Sequence, residues 1–161
     1  MTKKILFVAS TFSHIYNFHL PYLNYFENNG YEVHVMANGD ASIVPSEYKI
    51  TSIPFQKSMF SLKNISNTIR IAKIIKSEKY DVVSIHTSLA AFFTRFGIMF
   101  SSSRPKLVIN TVHGYLFDNK SSFLKRNIML VAEKMMKPAT DIIMVMNQED
   151  LAIAKEHRLY K

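Results

Sequence analysis

The segment at residues 111–117 groups side chains of the kinds that bind small polar ligands. It follows an apolar run, which predicts a buried strand whose C-terminal end opens into a loop. The loop offers the imidazole of His113, a close backbone approach at Gly114 and the flat rings of Tyr115 and Phe117. Ligands of open α/β sheets bind at this edge. The loop is therefore the first candidate for a site, although helix capping or a bond to a carbonyl would also explain a lone histidine.

Polar side chains also follow two other predicted strands. Residues 10–14 come after the first apolar run, and His86 and Thr87 end the fourth. The carboxyl ends of parallel strands lie along one edge, so these groups converge on one cleft that suits a hydroxyl-rich ligand such as a sugar. Capping of the next helix is the alternative for Thr87, Ser88 and Asn147. The candidate binding residues are Ser10, Thr11, Ser13, His14, His86, Thr87, Thr111, His113, Gly114 and Tyr115.

Dinucleotide binding and nucleophilic catalysis are disfavoured. Residues 10–14 contain no glycine, so the tight pyrophosphate turn of a G-x-G-x-x-G loop is missing, and no Walker A pattern occurs. The chain has no cysteine and no G-x-S-x-G elbow. Ser84 and Ser88 lie near His86 in sequence, but such adjacency does not make a catalytic triad.

A metal site is also not expected. His14 and His19 are five residues apart, and neither has a second histidine or a carboxylate at the i+3 or i+4 spacing of helical ligands. Glu133, Glu149 and Asp150 lie in helical contexts, where pairing with a helix N-terminus or exposure to solvent accounts for them. We therefore predict neither a metal nor a cofactor.

Apolar runs alternate with helical patterns along the whole chain. The alternation predicts a single domain over residues 1–161, with an α/β Rossmann-like fold: a three-layer α/β/α sandwich with a mainly parallel sheet. Pro21 suggests that the regular part of the first helix begins near that residue, after a loop or a kinked turn. The predicted strands are 5–9, 31–37, 49–53, 81–85, 106–110 and 140–146. The predicted helices are 15–28, 61–77, 88–100 and 121–136, with a last helix from 148.

The second predicted helix carries an apolar stripe. Ser61 is a plausible N-cap. The helical spacing predicts one buried face made of Leu62, Ile65, Ile69, Ala72 and Ile75.

The charge of the chain points to an anionic partner. The net charge is +8 and the isoelectric point about 9.6. Basic residues concentrate at 57–79 and 120–137, which are solvated helix faces or surfaces that dock on anionic membrane. No nucleic-acid-binding motif occurs, so nucleic acid is not expected. Membrane docking is the sharper interpretation because apolar side chains lie beside the charges, namely Met59, Phe60, Phe123 and Leu124.

Four segments carry a specific resemblance. In order and spacing, the chain resembles the N-terminal domain of family 4 glycosyltransferases of the GT-B architecture, in particular bacterial enzymes of capsular and exopolysaccharide assembly. The resemblance implies two Rossmann-like domains around a cleft and transfer of a sugar from a nucleotide-sugar with retention, generally without a divalent metal. The N-terminal domain would hold the acceptor, often a polyprenyl-linked saccharide at the cytoplasmic membrane face. The segments are 14–21, 79–86, 111–117 and 140–150.

The resemblance also implies roles for single residues. His113 matches the family's loop histidine beside the transferred sugar, so it is the candidate catalytic residue. Residues 10–14 match a segment that lines the cleft near the donor phosphates and the acceptor. His86 matches the second histidine of a V-H-x-H strand, whereas Ser84 replaces the first.

The length of the chain shapes the functional expectation. Lys161 lies about where the family's interdomain linker starts. We therefore predict the acceptor-binding half of a transferase at the inner face of the cell membrane, inert or nearly so without the domain that holds the nucleotide-sugar. The alternative is a non-catalytic, membrane-associated scaffold subunit that recruits a separate donor-binding chain. An exposed apolar surface at Leu151, Ile153 and Leu159 would favour it.

Overall fold

The computed structural model describes residues 2–56, 58, 61–117 and 121–160. Predictions that rest on Lys57, Met59, Phe60 and Lys120 lie outside the described residues. The strands are β1 (Lys3–Thr11), β2 (Tyr31–Asn38), β3 (Lys49–Ser52), β4 (Val82–His86), β5 (Leu107–Val112) and β6 (Ile142–Val145). The helices are α1 (Phe12–Asn28), α2 (Leu62–Glu78), α3 (Ser88–Phe100), α4 (Phe123–Met136) and α5 (Gln148–Glu156), and short 3₁₀ turns lie at Ala41–Ile43 and Lys137–Ala139.

The six strands form one parallel sheet in the order β3-β2-β1-β4-β5-β6. Ile5 of β1 lies between Val33 of β2 and Val82 of β4. The chain therefore winds outwards in both directions from β1 and β4. The crevice between the carboxyl ends of these two strands is where ligands bind in such sheets.

Alternating strand residues bury against helices on both faces, which confirms the predicted three-layer Rossmann-like sandwich. Leu6, Val83 and Val108 pack with α2 and α3 on one face. Ile5 and Phe7 pack with α1 on the other. Since α1 covers β1 and β2, the same face of β6 stays open, and Ile142, Met144 and Met146 are 43%, 51% and 65% exposed.

Helix α1 begins earlier than predicted. It starts at Phe12, directly after β1, and runs through Pro21 to Asn28, so the predicted loop at residues 10–14 and the late start were wrong. Thr11 caps the helix by accepting a hydrogen bond from the His14 amide at 3.2 Å. The helix tolerates Pro21 because this residue faces solvent, while neighbouring turns are held on the sheet by Phe12, Ile15, His19 and Leu23.

Helix α2 presents a different face from the one predicted. Leu62, Ile65 and Ile69 are 80%, 52% and 56% exposed, although Ile75 is buried as expected. The buried side begins with Asn64, whose side chain bonds backbone groups of residues 56 and 58 at 2.9–3.0 Å. The connection from β3 has backbone groups that need partners, and this requirement turns a polar face inwards. Ser61 occupies the N-cap position but makes no capping bond through its side chain.

No helix of the described residues combines the length and the apolar content that a membrane span requires.

Candidate functional site

Four imidazoles meet where the carboxyl ends of the strands lie, at the crevice beside β1 and β4. His14 and His19 come from α1, His86 is the last residue of β4, and His113 follows β5. The ring centroids of His14 and His113 lie 5.1 Å apart, those of His86 and His113 5.6 Å, and those of His19 and His86 3.9 Å. The structure thus brings together the three predicted histidines and adds His19.

The pattern of α1 contains a signal for His19 that its predicted start concealed. When the helix begins at Phe12, His19 falls on the same buried stripe as Phe12, Ile15 and Leu23. A histidine on the buried face of a helix beside strand ends is a reasonable site candidate. The prediction treated residues 10–14 as a loop and therefore missed it.

The backbone next to the histidines is held in uncommon conformations. Thr87 has a φ of 66°, which is rare for a β-branched residue, and its Oγ1 accepts a hydrogen bond from the Ser10 amide at 2.9 Å. The hydroxyls of Ser10 and Thr87 lie 2.6 Å apart. Gly114 has a φ of 119° in the loop that carries His113. Strain of this kind concentrates at ligand sites, where the surroundings enforce it.

His86 links two neighbouring side chains. Its Nε2 lies 3.0 Å from the Ser84 hydroxyl, and its Nδ1 lies 3.4 Å from Nε2 of His113. Ser84, which stands where the resemblance expects a histidine, therefore orients His86. Such an arrangement fixes the buried ring and supports the more exposed imidazole of His113 at the mouth of the site.

Burial keeps the four imidazoles neutral near pH 7. It lowers the pKa of His86 to about 2, with further lowering by His19, His113 and His14. Burial, then His14 and His113, lowers the pKa of His19 to about 4. Burial is also the main cause of the lowered pKa of His14 and of His113. Each neutral ring keeps a nitrogen lone pair that can accept a hydrogen bond or bind a metal.

Two of the ring nitrogens lack a hydrogen-bond partner. Among the described residues, Nε2 of His14 and Nε2 of His19 are buried without one. A buried polar atom left unsatisfied costs about 1–3 kcal/mol, so such atoms in a cleft indicate a missing ligand.

A cavity of about 480 Å³ opens beside the histidines on the α1 side of the sheet. His19, His86 and His113 form its polar end, and apolar side chains form the rest of its wall. Phe18 and Tyr22 present exposed rings there, and they lie one turn apart on α1. These rings, which the sequence prediction missed, are placed to stack on a ligand. The full lining is Ile5, Phe7, Phe18, His19, Tyr22, Phe26, Ser84, His86, Ile109, Thr111, His113, Met144 and Met146.

Tyr115 and Phe117 do not line this cavity. Phe117 is buried with Leu130 and Ile153 of the next helices, and the Tyr115 ring packs on it with centroids 5.2 Å apart. Both instead line a second cavity of about 30 Å³, next to Thr87 and Thr111, so their predicted stacking role stays a prediction. The loop turns towards α4 and α5 because these two rings complete the core there.

Charged groups behind the loop are more buried than predicted. The guanidinium of Arg95, 1% exposed, forms a two-pronged ion pair with Glu133, with both N–O distances 2.9 Å. Asp150 is buried and accepts hydrogen bonds from Tyr115 N at 3.1 Å and from Asn147 Nδ2 at 2.7 Å. Asp150 lies in the first turn of α5, as predicted, and its bond to Tyr115 N also holds the loop. Glu133 pairs with the buried Arg95 of α3 instead of facing solvent.

The remaining candidates are placed as follows. Ser13 is exposed on the first turn of α1, and Thr111 is buried at the end of β5 with contact to the cavity. Thr87 directs its hydroxyl to Ser10 and makes no helix-capping bond, whereas Asn147 caps α5. Ser88 lies 3.5 Å from the carbonyl of Gly114.

Two groups of side chains have ligand atoms close enough to share a metal ion among the described residues. In His14, His19 and His113, one ring nitrogen of each lies within 4.8 Å of the others. The second group joins Glu32, His34 and Glu78, far from the cleft. Sequence spacing missed the first group because the third ligand comes from a different strand end.

The chain is similar to known proteins along most of its length. Residues 4–147 match a family described as glycosyl transferase 4-like. The chain is 34% identical over 155 residues to EpsD of Bacillus subtilis (strain 168), which is named as a candidate glycosyltransferase, and the match covers 96% of this chain and 40% of EpsD. The chain therefore spans less than half the length of this relative.

Solved structures with low sequence identity share the fold. The lipopolysaccharide outer core galactosyltransferase WaaB has a TM-score of 0.64 at 14% identity, with 96% of this chain and 42% of WaaB covered. A UDP-N-acetylglucosamine 2-epimerase has a TM-score of 0.64 at 15% identity, with 99% and 43% covered.

Proposed function

The chain belongs to the glycosyl transferase 4-like family, and we propose that it forms the acceptor-binding half of a retaining glycosyltransferase in cell-surface polysaccharide synthesis. The donor is a nucleotide-sugar, and the acceptor is a lipid-linked saccharide. The observation that supports this most is the convergence of His14, His86 and His113 at the crevice beside β1 and β4, next to a cavity of about 480 Å³.

The chemistry of the cleft suits a saccharide. Neutral imidazoles accept or donate hydrogen bonds to hydroxyl groups, and the rings of Phe18 and Tyr22 offer flat apolar surfaces to the faces of a sugar. His113 is exposed at the mouth, so we assign to it the contact with the reacting sugar. His86 and Ser84 act through His113 by holding its ring.

The described residues that line the cavity offer no cationic side chain to a donor diphosphate. Among the described residues, those that line the cavity include no lysine or arginine. Transfer from a nucleotide-sugar requires groups that stabilise the leaving diphosphate, and it requires exclusion of water. We therefore propose that a donor-binding partner domain supplies these groups, and that this chain alone turns over little or no substrate.

The first turns of α2 and α4 support a position at the membrane surface, where a lipid-linked acceptor would be reached. In a parallel α/β sheet each crossover helix begins near the carboxyl ends of the strands, so α2 and α4 both start on the side of the cleft. Phe123 and Leu124 in the first turn of α4 are 84% and 70% exposed, and Lys125 follows them. Leu62 and Lys63 make a similar pair on α2. We propose that these starts dock the chain on the anionic inner face of the membrane.

A binding experiment tests the acceptor assignment. The purified chain is titrated by calorimetry with a short-chain prenyl-diphosphate saccharide, with the free saccharide and with UDP-sugars. We expect binding of the lipid-linked saccharide, at least tenfold weaker for His113→Ala and unchanged for the matched control His157→Ala, since His157 follows the C-terminal end of α5 and contacts Arg126 of α4. Robust sugar transfer by the chain alone would contradict the proposal, and so would acceptor binding that is equally tight in the wild-type chain and in His113→Ala.

A second candidate function is a scaffold subunit that recruits a separate donor-binding chain. The surface expected to favour it is not exposed, because Ile153 and Leu159 are buried with Phe117. The open face of β6, with Ile142, Met144 and Met146, supports it instead.

A further inference from the structure

Three histidines, His14, His19 and His113, lie close together beside the cleft, and two of them have a ring nitrogen without a partner among the described residues. One ring nitrogen of each lies within 4.8 Å of the other two. Nε2 of His14 and Nε2 of His19 are buried without a hydrogen-bond partner among the described residues. A sugar hydroxyl can satisfy one such atom, but three ring nitrogens within 4.8 Å of one another are also close enough to share one small ligand.

The other candidate group shows what a satisfied cluster looks like. Glu78 is paired with Lys4 at 3.0 Å and with Lys49 at 2.7 Å, and Nε2 of His34 bonds Glu32 at 2.7 Å. The positive charges that a metal would supply are already provided there by two lysines. Among the residues described, no lysine or arginine acts on the pKa of His14, His19 or His113, which burial and neighbouring histidines lower.

We propose that His14, His19 and His113 form a binding site for a divalent transition metal, Zn²⁺ in particular, with its fourth position open to the cleft. Neutral imidazole is a preferred ligand of Zn²⁺, and three protein ligands with one open position are typical of zinc that also binds a water or a substrate atom. Mg²⁺ and Ca²⁺ require oxygen ligands, which this group does not offer.

The dimensions are close to those of a zinc site. Zinc–nitrogen bonds of about 2.0–2.1 Å in a tetrahedral arrangement place the nitrogens about 3.4 Å apart. The three nitrogens lie within 4.8 Å of one another, so binding would require ring rotations that bring them closer together. His113 has the freedom to do so because it is exposed and is followed by Gly114. His86 has its Nδ1 3.4 Å from Nε2 of His113, so it can orient this ligand when His113 binds the ion through its other nitrogen, Nδ1.

The site goes beyond the proposed glycosyltransferase function, which uses no metal. A bound ion would lie within the same cleft, and its open position would take a water molecule or an anionic oxygen of a ligand. Acceptor binding measured in EDTA and Zn²⁺ binding measured without acceptor therefore test the two proposals separately.

The experiment uses the full chain without a polyhistidine tag, freed of metal with EDTA and dialysed. Zn²⁺ is titrated by calorimetry, and Co²⁺ is titrated by visible absorption, which reports tetrahedral coordination. We expect saturable binding at one ion per chain, displacement of Co²⁺ by Zn²⁺, and no comparable binding of Mg²⁺. His14→Ala and His113→Ala should each weaken Zn²⁺ binding at least tenfold, whereas the matched control His157→Ala should leave it unchanged.

Several results would overturn the proposal. They are the absence of saturable Zn²⁺ binding to the wild-type chain, binding that survives both His14→Ala and His113→Ala, and an equal loss in His157→Ala. Circular dichroism checks that the variants fold. The absorption spectrum of the wild-type chain with Co²⁺ decides the question independently of any variant, since octahedral coordination or no spectrum would contradict a three-histidine site.

Discussion

The two ends of the sheet differ in whether their polar side chains have hydrogen-bond or ion-pair partners. At the amino ends of the strands, Glu78 binds Lys4 and Lys49, and Asp81 accepts bonds from the Lys4 amide at 2.8 Å and from Lys106 at 2.6 Å. At the carboxyl ends, the four imidazoles pack on one another, and two of their buried nitrogens have no partner among the described residues.

The contrast is sharpest between two buried histidines. His34 uses both ring nitrogens, since Nδ1 lies 2.7 Å from the Tyr80 hydroxyl and Nε2 lies 2.7 Å from Glu32. His19 is equally buried and leaves Nε2 unsatisfied. A satisfied network stabilises the fold, whereas unsatisfied groups cost stability and are retained where they bind a ligand. The amino end therefore stabilises the sheet, whereas the carboxyl end keeps buried polar atoms that a ligand could satisfy.

We expect the largest change in the free energy of unfolding from a decrease in pH. Because burial lowers the pKa of His86 to about 2 and of His19 to about 4, the unfolded state binds more protons below about pH 6.5, and stability falls as pH decreases. The two residues together should cost on the order of 3 kcal/mol between about pH 6.5 and pH 5. Urea unfolding of the metal-free chain at a series of pH values measures this loss, and His86→Asn should reduce it.

The amino end should respond in a different pH window. The hydrogen bond from Lys49 leads the causes that lower the pKa of Glu78 to about 2, so its contribution is lost only as pH falls from about 4.5 towards 2. Glu78→Gln should therefore change the free energy of unfolding at neutral pH and its pH dependence below about pH 4.5, but not its pH dependence between about pH 6.5 and pH 5. Burial also lowers the pKa of His34, although Glu32 and Glu78 act to raise it. The two ends of the sheet are therefore compared through their variants and not through the pH curve of the wild-type chain alone. Similar curves for His86→Asn and Glu78→Gln would remove the distinction between the ends.

A matched pair of substitutions gives a smaller effect. His34→Leu leaves the Tyr80 hydroxyl buried without its partner and should lower the free energy of unfolding by about 1–3 kcal/mol. His19→Leu removes a nitrogen that already lacks a partner, so the free energy of unfolding should stay within about 0.5 kcal/mol or rise. Urea unfolding at pH 7 measures both. Equal losses would show that His19 is as well satisfied as His34.

The smallest effect compares the two ends of one helix. Phe123→Glu, at the start of α4 beside the cleft, should weaken sedimentation with anionic liposomes by about tenfold, since it replaces an apolar contact by a repelled charge. Met135→Glu is the matched control, because this residue is also exposed but lies at the other end of α4. High salt should reduce binding of the wild-type chain. Equal effects of both variants, or no binding to any liposome, would exclude docking through the start of α4.

The sequence was sufficient for the fold and for part of the site. Alternation of apolar runs and helical patterns predicts a parallel sheet, and the topology of such a sheet brings all carboxyl strand ends to one edge. For this reason the positions of His86 and His113 after their strands were enough to predict that they meet. The four motifs predicted the family in the same way, and the match over residues 4–147 confirms it.

Only the tertiary structure decided which face of each helix is buried and which ring nitrogens stay free. Asn64 turns the polar side of α2 inwards because the neighbouring connection needs hydrogen bonds, and periodicity carries no information about that need. Phe117 leaves the cleft because α4 and α5 offer it a core. His19 enters the cleft because α1 starts at Phe12 and lies across β1, so its partners come from strands distant in the chain. The local sequence pattern indicates which helix or strand a segment can form. Which of its side chains are buried, and which polar atoms have hydrogen-bond partners, depends on the elements that pack against it.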